Sequence, residues 1–74
     1  MYILPGYTMH YEENGAIYIS SKLLQNKVML TEPAIQEEFR TLVKSGGCRE
    51  ISTPLEQFLH EQELLLNEGE IKTT

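Results

Sequence analysis

The chain has 74 residues, 41% of them hydrophobic and 23% charged, with eleven acidic side chains against six basic ones and a formal charge of −5. One small domain fits this length, and its core is marginal, since a chain of this size buries only about 60–65% of the surface it exposes when unfolded. The composition argues against a disordered chain, and the acidic balance leaves too few cations for the broad basic face of a duplex DNA binder.

Residues 8–12 alternate, with Tyr7, Met9 and Tyr11 on one side and Thr8, His10 and Glu12 on the other. Asn14-Gly15 follows, a pair suited to a two-residue hairpin turn because both central positions need positive φ. Residues 16–20 alternate again, Ile17 and Ile19 against Tyr18 and Ser20, so two strands joined at Asn14-Gly15 are predicted. Residues 21–24 extend the second strand, Gln25-Asn26 reads as a turn, and Lys27–Leu30 as a third strand with Val28 and Leu30 on one face.

At Thr31-Glu32-Pro33 the period changes. Thr31 is the expected N-cap of a helix, with Pro33 in its first turn. Ile35, Phe39, Leu42 and Val43 form its apolar stripe, while Gln36, Glu37, Arg40 and Lys44 cover the outside. Gly46-Gly47 ends it, since a glycine past the last turn adopts the left-handed conformation freely. Residues 48–52 are a short connection anchored by Ile51. Thr53-Pro54-Leu55-Glu56 has the pattern of a capping box, and Leu55, Phe58 and Leu59 stripe the helix that follows. Residues 64–66 read as a last turn or a short strand. Strands followed by helices read as α+β: a single domain over residues 1–66, then a polar, frayed tail over residues 67–74.

The inventory for chemistry is thin. His10 and His60 have no partner at a metal-ligand spacing and read as solvated side chains. Cys48 follows Gly46-Gly47 and precedes Arg49, but with no base at a recognisable spacing it reads as a small, half-buried residue. As the only cysteine it permits neither an internal disulfide nor a thiolate zinc cluster. The glycine pair is too short for a phosphate loop. The adjacent carboxylates Glu12-Glu13 and Glu37-Glu38, and the pair Glu61 and Glu63, read as solvated faces rather than a catalytic cleft. Tyr7, Tyr11 and Tyr18 read as cross-strand packing rather than a base-stacking platform. No catalytic residue, metal or cofactor is expected, and the protein is not expected to be an enzyme. The start, broken by Pro5-Gly6 and lacking a basic segment, does not read as a signal peptide. No apolar run approaches the ~20 residues of a membrane span, and a cytoplasmic location is expected.

What remains is a binding module. If Lys27–Leu30 is an edge strand, its unpaired backbone can accept a fourth strand from a partner, and the second helix, through Leu55, Phe58 and Leu59, can line a groove beside it.

The order of hairpin, third strand, helix, Gly-Gly break and second amphipathic helix resembles the PqqD-like recognition element for precursors of ribosomally synthesised, post-translationally modified peptides. The stretches that carry the likeness are residues 11–19 around Asn14-Gly15, Val28-Met29-Leu30-Thr31, and Pro54-Leu55-Glu56-Gln57-Phe58-Leu59 leading to Leu64-Leu65. Together they span residues 7–66. The resemblance implies a small winged helix-turn-helix domain, with a three-stranded antiparallel sheet followed by two to three helices. The family's middle helix has room for at most a single turn in residues 48–52.

It also implies a function: binding the leader segment of a precursor peptide and presenting it to a peptide-maturation enzyme, either fused in cis or acting in trans. The leader would add a strand at Lys27, Val28, Met29 and Leu30 and pack against Leu55, Phe58, Leu59 and Gln62. Lys22 and Lys27, which flank the third strand, would meet an acidic leader. The alternatives are a winged-helix module of a transcriptional regulator and a protein–protein adaptor. The stretch from Pro54 to Gln62 contains two Glu and no Lys or Arg, which argues against nucleic acid as the partner.

Overall fold

The computed structural model describes residues 1–23 and 27–71. Five strands and two α-helices follow in the order β1 (Tyr2–Ile3), β2 (Thr8–Glu13), β3 (Ala16–Ser21), β4 (Lys27–Leu30), α1 (Pro33–Ser45), α2 (Pro54–Glu61) and β5 (Leu66–Asn67). Strands β2, β3 and β4 form an antiparallel sheet in that order, and β1 pairs with β5 in a second, two-stranded sheet. The α+β class therefore holds: a three-stranded antiparallel sheet with two helices. No helix among the described residues is long and apolar enough to cross a membrane.

The hairpin is where the sequence placed it. Asn14 and Gly15 both have positive φ, 52° and 80°, the conformation whose twist matches a two-residue hairpin. Strand β3 ends at Ser21, and the expected turn at Gln25-Asn26 lies outside the described residues. Ile17 and Ile19 of β3 are 1% and 0% exposed, and Val28 and Leu30 of β4 join them in the core. Strand β2 contributes nothing buried, because its residues on that side are Thr8, His10 and Glu12. The opposite face of the sheet is open, with Met9, Tyr11 and Met29 about half exposed.

Helix α1 begins one residue later than expected. Glu32, not Thr31, is the N-cap, and no side chain caps the helix; Pro33 at the first position lacks an N–H to satisfy, which lowers the need for one. Phe39 and Leu42 are buried and Ile35 and Val43 half-buried, as the stripe requires. Gln36, expected on the outside, is instead buried at 7% exposure. Its Nε2 donates to the Gly15 carbonyl at 2.7 Å and the Leu30 carbonyl at 2.8 Å. One amide thus ties the hairpin tip and the end of β4 to the first turn of α1.

The two glycines after α1 do different jobs. Gly46 is the left-handed C-cap, and its N–H reaches the Leu42 and Val43 carbonyls. Gly47, at φ 127°, lies under β1: a Cβ there would fall on the Tyr2 carbonyl oxygen and come within 3.0 Å of the Ile3 methyl. The next residue, Cys48, exchanges two backbone hydrogen bonds with Tyr2, of 2.7 and 2.8 Å. Residues 48–52 form no helix.

The capping box of α2 is present as read: the Thr53 hydroxyl accepts from the Glu56 N–H at 3.1 Å, and the Glu56 carboxylate accepts from the Thr53 N–H at 3.2 Å. Glu63, in the left-handed region at φ 59°, turns the chain so that Leu64, Leu65 and Leu66 enter the core. Leu66 and Asn67 then pair with Ile3 and Tyr2. The polar tail accordingly begins later than residue 67. Asn67 caps a 3-10 turn over Glu68–Glu70 through a reciprocal pair of bonds, and the Glu68 N–H binds the Met1 carbonyl.

Candidate functional site

Strand β4 lies at one edge of the main sheet. Which of its backbone groups face outward follows from the ladder. The Lys22 N–H donates to the Tyr7 carbonyl at 2.9 Å, so this pair, and every second pair after it, joins β3 to β2; the intervening residues Ile17 and Ile19 bond to β4. The N–H and C=O groups of Val28 and Leu30 are therefore turned inward. Those of Lys27 and Met29 point away from the sheet, and among the described residues no strand pairs with them. The side chains of Lys27 and Met29 are exposed, the latter at 56%. The Lys27 ammonium stands 5.2 Å from the Tyr18 ring centre, close enough for a cation–π attraction. Lys22 is exposed.

The helical side of the expected groove divides in the same way. Leu55 and Leu59 are 5% and 0% exposed and share one core cluster with Val28 and Leu30. These four side chains are consumed by the core and offer no surface to a ligand. Phe58 is 41% exposed and Gln62 half-buried. Of the eight residues expected to bind a peptide, the structure leaves Lys27, Met29, Phe58 and Gln62 with accessible side chains.

The two histidines differ from expectation unequally. His10 is exposed, but its ring stands edge-on to Phe39 at 5.2 Å, between hollows of about 330 and 260 Å³ at the β2–α1 junction. His60 is not a solvated side chain. It is half-buried, its Nδ1 lies 2.9 Å from the Leu65 carbonyl, and its ring is 5.2 Å from that of Tyr2. The Tyr11 and Tyr18 rings stack at 5.1 Å, inclined by 18°, which is the cross-strand packing that the alternation predicts.

A hollow of about 420 Å³ lies between α1 and α2 and is lined by Glu37, Glu38, Cys48 and Glu56 among others. Burial raises the pKa of the Cys48 thiol, and the charge of Glu56 and a hydrogen bond to it raise it further. The thiol is therefore held in its unreactive protonated form. Burial of Glu56 works to raise its own pKa, but bonds from the Ser52 and Thr53 N–H groups, the Ser52 hydroxyl and the Cys48 thiol outweigh that, and the net shift is downward. Stability from this carboxylate is thus complete above the ordinary Glu range and lost as pH falls through the lowered folded value. Glu56→Ala is expected to cost about 0.5–2 kcal/mol near pH 7. The gap from the parent should narrow as pH falls below ~4, where the unfolded carboxylate is already protonated and the folded one follows at lower pH. Urea titrations from pH 3 to 7 measure it, and a gap independent of pH would contradict the assignment.

Among the described residues no group of three or more His, Cys, Asp or Glu is placed to hold a metal ion. The sequence missed Gln36, and no local signal marks it: only the tertiary approach of Gly15 and Leu30 makes it a buried anchor. A three-stranded sheet has two edges, and β2 forms the second. Comparison with known families, curated proteins and solved structures finds no match to this chain.

Proposed function

We propose that the protein is a peptide-recognition domain of the PqqD-like kind, which captures the leader segment of a ribosomally made precursor peptide by strand addition to β4 and presents it to a maturation enzyme in cis or in trans. The observation that carries this reading is the outward-facing backbone of Lys27 and Met29 at an unpaired sheet edge. An extended segment laid there gains main-chain hydrogen bonds for register, while neighbouring side chains select its sequence. Lys22 and Lys27 favour an acidic segment, and the exposed Phe58 ring and Gln62 extend the contact along α2. The sheet-then-helices order fits a reduced winged helix-turn-helix, with residues 48–52 standing in for the middle helix. Core burial of Leu55 and Leu59 assigns them a supporting role, in the cluster that also holds Val28 and Leu30.

The test is a titration of the 15N-labelled domain with an acidic leader peptide, followed amide by amide. Shifts should concentrate at Lys27–Leu30 and from Leu55 to Gln62, and Lys27→Glu should weaken binding about tenfold, the fold-change that 1.4 kcal/mol produces. A peptide that binds while leaving both segments unmoved would refute strand addition at β4.

A further inference from the structure

Strand β2 is the other outer strand of the main sheet, and five of its six residues are exposed. By the alternation fixed at Lys22 and Tyr7, the N–H and C=O groups of His10 and Glu12 point away from β3. Among the described residues no backbone hydrogen bond reaches them. Exposed edge strands invite pairing, and folded proteins close them with prolines, charged side chains or bulges. Residues 8–13 contain no proline or lysine, their register with β3 is unbroken, and the charge of Glu12 is taken up by Arg40 of α1.

The geometry points to a second copy of this chain as the partner of β2. The two strands pair antiparallel about a two-fold axis at Tyr11, joining two three-stranded sheets into one of six strands. Three central registers set outward-facing groups opposite one another. Centring on Glu12 opposes two carboxylates directly, and centring on His10 opposes two imidazoles; like groups in that position repel or gain nothing. Centring on Tyr11 places His10 of one protomer opposite Glu12 of its partner, and the symmetry repeats this pair; Glu12 is held by Arg40 of its own protomer through Oε1 and offers its second carboxylate oxygen to the imidazole. On the open face, the Tyr11–Tyr18 stack of one protomer then meets the same stack of its partner. The result is a row of four rings with Met29 at each end, since Met29 is the cross-strand neighbour of Tyr18. Strand β4 offers no such match: it has four residues, and Lys27 finds no acidic side chain in a second Lys27–Leu30. Pairing through β2 leaves both β4 edges free at the far ends of the joined sheet, so it does not compete with leader binding.

Sedimentation equilibrium on the parent chain should give a reversible species of twice 8.5 kDa. Glu12→Pro removes no ladder bond within the protomer, because that N–H faces outward; it loses the exposed ion pair with Arg40 and should leave a folded monomer by circular dichroism. His10→Glu places carboxylates opposite each other twice and should weaken the dimer roughly tenfold. Adding Glu12→Lys and Arg40→Gln to it, the second so that the new lysine does not face the arginine of its own protomer, restores opposite charges in this register alone and should recover the dimer. Tyr11→Cys in a Cys48→Ser background should cross-link rapidly under mild oxidation, because residues facing each other in a non-hydrogen-bonded pair lie about 4.5 Å apart at Cα. A parent chain that stays monomeric at millimolar concentration overturns the proposal, as does a dimer untouched by Glu12→Pro.

Discussion

Gly47→Ala is expected to cost about 3–5 kcal/mol, near the upper end of what single substitutions do. A domain of this length holds roughly 4–11 kcal/mol in all, so the variant should be partly unfolded at room temperature. Two effects add. The φ of 127° is one that residues with a Cβ avoid, at about 1–3 kcal/mol. The new methyl would also meet the Tyr2 carbonyl oxygen, which is backbone already committed to Cys48. Moving β1 aside would break the Tyr2–Cys48 bridge and loosen β5, its other neighbour. Gly46→Ala is the informative comparison. Gly46 is also left-handed, at φ 74°, yet its Cβ would meet nothing within 4 Å, so it should cost only about 1–2 kcal/mol. Urea denaturation of both variants measures the gap, and equal losses would show that the close approach of β1 to Gly47 contributes nothing.

The second large effect is expected at Gln36. Both partners of its amide nitrogen are carbonyl oxygens, so any replacement lacking an N–H leaves them facing a buried side chain. Gln36→Leu should cost about 1–3 kcal/mol. Gln36→Glu should cost more at neutral pH, because a carboxylate would oppose two acceptors in a buried site. That variant also has a signature. Desolvation and the two carbonyls favour its protonated form and raise its folded pKa. Its stability deficit should therefore be smallest near pH 4 and grow as pH rises toward neutrality. A deficit that stays constant across that range would mean the carbonyl oxygens do not face this side chain.

Much of this architecture is local, and that part is legible in the sequence. The Asn14-Gly15 turn, the Thr53/Glu56 capping box and the Gly46 stop each depend on residues within a few positions of one another. The edge position of β4 is legible from chain order. What escaped depends on distant partners. Gln36 sits on the side of α1 that faces Gly15 and Leu30, an encounter no helical period encodes. The two-residue strands β1 and β5 are too short to show alternation and exist only because Tyr2 meets both Cys48 and Asn67. The stripe expected from Leu55, Phe58 and Leu59 is narrower than it reads: at 100° per residue Phe58 lies about 80° from the midline of the two leucines, far enough to be exposed. Four of the eight expected contact residues are accessible, because the sequence marks apolar positions without saying which the core consumes.

The pairing of β1 with β5 has a topological consequence. Met1 and Glu68 are hydrogen-bonded neighbours, so residues 1–68 leave and return at one point on the surface. A unit closed in this way can be spliced into a surface loop of another polypeptide with little more disturbance than a hairpin, or joined head to tail and reopened elsewhere. Fusion partners attached at its two ends would emerge side by side and would share one flank of the domain.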